Sequence, residues 1–177
     1  MECVFKKTAP FLAFLVFFFS FLPSSSFFLT TNHRADDLDY ITHAFTIALD
    51  FDLDYANEDV RLNKFEEGRA AVPVGPVGPG LMAAPFVAAF SVIDRIQGHP
   101  VIEKHSERIG SWSLFGFLFA SSLYFLLGLM LYASAFQNLF SSSRASIYFL
   151  AASTGMLFYV LNRFSMTHSF EFFELAL

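Results

Sequence analysis

Hydrophobic positions fall in long blocks separated by one polar stretch, and the blocks set the expected architecture. The first block, Ala9 to Leu29, reads APFLAFLVFFFSFLPSSSFFL behind Lys6 and Lys7. A basic start, an apolar run from Phe11 to Leu22 and the small residues Ser24 to Ser26 match a secretory signal peptide cleaved to leave a start near Phe27. The block is also close to the ~20 residues a membrane helix needs, if Pro23 is tolerated near its end. A retained anchor over residues 1–30 is the working expectation, with cleavage as its alternative.

From Thr31 the pattern turns polar. Leu38, Ile41, Phe45, Ala48 and Leu49 recur at helical spacing, with Asp36 or Asp37 placed to start the helix. A second short helix is expected over Asn57–Glu67, between an N-capping Asn57 and Gly68 just past its end. Residues 31–71 therefore read as an acidic extramembrane helical segment. The stretch VPVGPVGPG over residues 72–80 reads as a linker, because proline at that density breaks both helices and ladders. Leu81–Ile93 is apolar but short, so residues 81–110 are expected to hold interfacial or partner-buried helices. Pro85 would lie in the first turn, and Gly98 with Pro100 would end the helix.

No charged residue occurs between Arg108 and Arg144. Leu114–Phe136 inside that stretch predicts a transmembrane helix, followed by a polar turn at Gln137–Ser143 and a second span over Ala145–Leu161. Residues 111–163 thus form a transmembrane hairpin, with Trp112, Tyr132, Tyr148 and Tyr159 toward its ends as interfacial aromatics. The tail 164–177, with His168, Glu171 and Glu174 among Phe and Leu, is expected to lie on the membrane surface. The fold class is an all-α membrane protein: two C-terminal transmembrane helices, an N-terminal one, and short helices in the acidic loop. Basic residues near the spans are almost evenly divided between the two sides and leave the orientation open.

Composition sharpens this picture. Of 177 residues 55% are apolar and only 15% charged, and 26 are phenylalanine, well away from the ~25% charge of soluble domains. A net charge of −5, with no basic run, argues against a nucleic-acid partner. Cys3 is the single cysteine, which excludes an internal disulfide and a cysteine metal cluster.

Candidate chemistry is sparse. Asp50, Asp52 and Asp54 suggest a calcium loop, but Tyr55 and Arg61 stand where an EF-hand needs Gly and Glu, so a solvated acidic surface is the better account. Asp39 and His43 share a helix face without an evident third metal ligand. Glu103 and His105 would diverge on a helix. His33, His43, His99, His105 and His168 all lie outside the expected C-terminal spans, which argues against haem held between those helices. Asn162 and Gln137 remain as weak pigment ligands. The two C-terminal spans hold no carboxylate or lysine, which disfavours a transporter acting alone. What the spans do carry is small residues four apart, Gly116 with Ala120 and Ala151 with Gly155, the spacing that lets helix backbones approach. With those faces packed, Phe117, Phe119, Phe125 and Leu126 would face lipid or a neighbouring subunit. No nucleotide-binding, hydrolase or zinc-protease motif occurs.

These readings converge on a non-catalytic accessory subunit of a multi-subunit membrane complex, with other membrane subunits and lipid as partners and no cofactor of its own. A respiratory complex of the mitochondrial inner membrane is the first assignment. A secretory-pathway membrane protein with a cleaved leader and an acidic lumenal binding segment is the alternative. A membrane enzyme using His99, Glu103 or His105 ranks third.

Overall fold

A computed structural model describes residues 29–30, 37–55, 73, 75–98, 108–109, 112–140 and 167–177. These residues are mostly helical, with short turns between the helices and a two-residue antiparallel ladder, in which β1 (Leu29–Thr30) pairs with β2 (Arg108–Ile109), Leu29 opposite Ile109. The ladder ties the end of the first hydrophobic block to the chain just ahead of the longest helix. The expected N-terminal span, the helix over 57–67 and the span over 145–161 lie outside the described residues.

Helix α1 spans Asp37–Phe45 and continues as a π-helical turn over Thr46–Asp50. Of the expected apolar positions, Ile41, Phe45 and Ala48 belong to the core and Leu49 packs against it half-buried; Ala44 joins them. Burial goes further than the pattern required, because Tyr40, Thr42, His43 and Thr46 are buried too. Phe51 ends the turn in the left-handed region, at φ 60°, a conformation that costs a non-glycine residue about 1–2 kcal/mol.

Helix α2 runs over Gly78–Gln97, 20 residues. It begins three residues inside the stretch read as a linker, and the reason is local. The first turn of a helix has no intrahelical acceptor for its N–H groups, so Pro79 loses nothing there. Pro85 accordingly sits inside the helix and not in its first turn. Gly98, at φ 67°, closes the end and donates its N–H to the Arg95 carbonyl. Glycine serves here because this backbone region is open to it without penalty.

Helix α3, Trp112–Phe140, is 29 residues long and runs through Gln137, where a turn was expected. Helix α4, His168–Glu174, is a short C-terminal element. α2 and α3 are antiparallel: Asp94 meets Ser113, Phe90 meets Trp112 and Phe115, and Phe86 meets Tyr124. α1 packs on α2, and α4 packs on α3. Both α2 and α3 are long and apolar enough to cross a membrane, at about 30 and 43 Å for a rise of 1.5 Å per residue.

One expectation needs correction. Phe117 and Phe125 do not face outward; both are buried, and their rings lie 5.8 Å from Phe170 and 5.5 Å from Phe172. The cause is α4. Residues 168–174 fold back along α3 and cover that face with their own phenylalanines, Phe170 being fully buried. For the same reason the end of the tail is a docked helix against the middle of α3.

Candidate functional site

The densest arrangement of specific contacts is the seam between α2 and α3, together with the two elements that close its far end. Gly116 and Ala120 both lie in it. A Cβ added to Gly116 would stand 2.6 Å from the Phe86 carbonyl oxygen and 3.0 Å from the Val87 Cα, so glycine is what allows the two backbones to meet there. One turn on, Ala120 is fully buried in the core that holds Ala83, Ala84 and Val87. Around this close approach, Phe86 and Phe90 of α2 meet Trp112, Phe115, Phe119 and Tyr124 of α3 at ring separations of 4.9–6.4 Å. Offset and edge-on pairs of this kind add about 0.5–1.5 kcal/mol each beyond their buried area. Ala151 and Gly155 lie outside the described residues.

One end of the seam is polar, and its centre is Asp94. This side chain leaves the last turn of α2, is fully buried, and points at the first turn of α3. The Trp112 N–H donates to Oδ1 at 2.9 Å; the Ser113 N–H and hydroxyl donate to Oδ2 at 2.8 and 2.6 Å. Those backbone donors are among the four that every helix start leaves without intrahelical partners, and the positive end of the helix dipole favours an acceptor carboxyl there. Helix α3 is therefore capped by a residue of its neighbour. The Trp112 indole N–H donates to Gln97 Oε1 at 3.0 Å, and its ring stacks on Phe90. Sequence inspection missed this cap. A signal existed: Asp94 is the one acidic residue between Glu67 and Glu103, set at the end of an apolar run.

Near the start of α2 the polar group is His43. Its ring is buried, with Nε2 3.0 Å from the Gly75 carbonyl oxygen and Nδ1 2.7 Å from the Tyr55 hydroxyl. A carbonyl only accepts, so Nε2 carries a proton, and in the neutral ring Nδ1 then accepts from the Tyr55 hydroxyl. The imidazole thereby fastens the chain after α1 and the chain before α2 to one helix. Gly80 adds to the fit, since a Cβ there would run into the His43 Cβ and the Ala44 backbone. The Asp39–His43 pair read as the start of a metal site is thus a structural clamp on its histidine side.

Helix α4 docks through aromatic rings. Phe170 lies against Phe117 and Tyr124, Phe173 against Tyr124, and Phe172 stacks on Tyr132 at 4.7 Å. Gly128 makes room, because an added Cβ would lie 2.9 Å from a Phe172 ring carbon and 3.0 Å from the Phe173 Cα.

The remaining candidates stay apart. Asp52 accepts the Asp54 N–H at 3.1 Å in an exposed turn, the local bond that short acidic side chains make in loops. His168 lies 3.3 Å from Glu171 on the surface of α4. His99, Glu103 and His105 are outside the described residues. Among the described residues no three His, Cys, Asp or Glu side chains come together as a metal site. Thr46 Oγ and Ser121 Oγ are buried without a partner, at a cost of about 1–3 kcal/mol each. No protein-family model matches this chain, and no curated protein or solved structure matches it either.

Proposed function

We propose that this chain is a non-catalytic helical subunit of a multi-subunit membrane complex. The observation that carries the reading is the way α3 treats its two halves. Its first half is buried by α1, α2 and α4, whereas its second half leaves Met130, Leu131, Phe136 and Leu139 exposed on a helix without a charged side chain. Apolar surface of that kind on an uncharged helix belongs against lipid or another subunit.

The polar chemistry supports the same reading from the other direction. Asp94 and His43, the buried groups best suited to acid–base work, each have their hydrogen-bonding atoms engaged by the fold. They hold helices in place, as a subunit that supplies shape requires. Within this proposal a respiratory complex of the mitochondrial inner membrane is the first assignment to test.

The experiment is purification of the tagged chain from its own membranes in a mild detergent. The expected result is resistance to alkaline extraction and recovery of stoichiometric partner subunits, with fractionation naming the membrane. A chain released by alkaline wash, or recovered as a clean monomer, overturns the proposal.

A further inference from the structure

We infer that α2, which its sequence reads as too short to cross, is a second membrane span whose outer stripe packs against phospholipid acyl chains. The inference rests on the membrane reading of α3 and adds the lipid-facing surface of its partner helix.

The stripe is Leu81, Pro85, Ala89, Val92 and Ile96, all exposed, with Leu81 at 59%, Val92 at 50% and Ile96 at 80%. At 100° per residue these five positions fall within an arc of about 80°. A surface helix of a water-soluble bundle is polar on its outer face; this one is apolar there along its whole length. Its 20 residues also give about 30 Å, the thickness of a bilayer's hydrocarbon core.

The polar groups of α2 obey the rule that lipid imposes, under which every donor and acceptor must be met from within the protein. Ser91 is buried and returns its hydroxyl to the Ala88 carbonyl at 2.8 Å. Asp94 points about 180° away from the centre of the stripe, and α3 takes up both of its oxygens. Arg95 and Gln97 stand at the last turn, where Gln97 accepts the Trp112 indole N–H and where a basic side chain and an indole suit the bilayer surface. A protein partner fits the stripe less well. Protein interfaces carry about one hydrogen bond per 100–200 Å², and none of the five side chains offers a donor or an acceptor.

The test uses the full chain reconstituted into phosphatidylcholine vesicles. Trp112 is the single tryptophan and needs no substitution. Its emission should be quenched most strongly by lipids brominated near the headgroup; strongest quenching by bromines near the chain ends overturns the inference. In a Cys3→Ser background, nitroxides are then placed by Ala89→Cys and Val77→Cys. The label at residue 89 should be relaxed more by oxygen than by a water-soluble nickel chelate, and the label at residue 77 the reverse. Nickel access at residue 89, or shielding from both reagents by a second copy of the chain, overturns the inference. Alkaline extraction of the vesicles separates the two levels: a chain that resists it while nickel reaches residue 89 leaves the membrane reading standing, and a chain released by it removes that reading as well.

Discussion

Removing the Asp94 carboxyl should destabilise the α2–α3 pair by an amount the structure allows to be worked out. Asp94→Ala strands three donors. Ser113 is fully buried, so its N–H and hydroxyl lose their partner without gaining water, at about 1–3 kcal/mol per unsatisfied group. Trp112 is 37% exposed, so its N–H can be rehydrated at little cost. A rotating serine hydroxyl recovers part of the loss, leaving a net of about 2–4 kcal/mol. For a chain of this size each kcal/mol moves the unfolding midpoint by ~2–4 °C, so a drop of roughly 5–15 °C is expected. Asp94→Asn keeps one acceptor oxygen but turns an amide toward an N–H, and should fall between the parent and the alanine variant. Unfolding is followed in detergent by circular dichroism and by Trp112 emission, which reads the cap directly because its N–H is one of the bonded donors. Asp52→Ala, in an exposed turn, is the control. An Asp94→Ala protein that melts within about 1 °C of the parent, with unchanged emission, would refute the capping argument.

Three further outcomes follow from contacts described above. Gly116→Val should cost about 1–3 kcal/mol, since contact with the Phe86 carbonyl requires α2 to withdraw by roughly 0.8 Å; the melting curve checks it, and a neutral result would show that the seam is loose. Tyr55→Phe should cost about 1 kcal/mol by removing the hydroxyl that Nδ1 of His43 accepts, and the gain in hydrogen exchange should centre on residues 37–55. Phe170→Ala empties a fully buried site and should cost about 3–5 kcal/mol. Since α4 is a single short helix, that loss should register as protease cleavage near residue 170 while α2 and α3 stay paired.

How legible this fold was in the sequence depended on whether a signal was local. Gly98 as a helix stop, the long apolar helix around Gly116, and the apolar positions of α1 could be read, because each depends on a few neighbouring residues. Pro79 misled because a proline's effect depends on its place in the helix, and only the structure shows that the helix starts beside it. Asp94 went unread because its role depends on Trp112 and Ser113, 18 and 19 positions later. Phe117 and Phe125 were assigned to the outside because nothing in their own helix announces that residues 168–174 return to cover them.

The inter-helix cap also bears on how the protein is made. Trp112 and Ser113 complete their hydrogen bonds with a side chain already synthesised 18 residues earlier, so the contact closes a short loop, and short loops close fastest. The two helices can pair as soon as the first turn of the second emerges from the ribosome, before the rest of that helix is made. A carboxyl that would be costly to bury on a solitary helix is buried only together with its neighbour's donors, which makes the helix pair the smallest unit in which this group is satisfied.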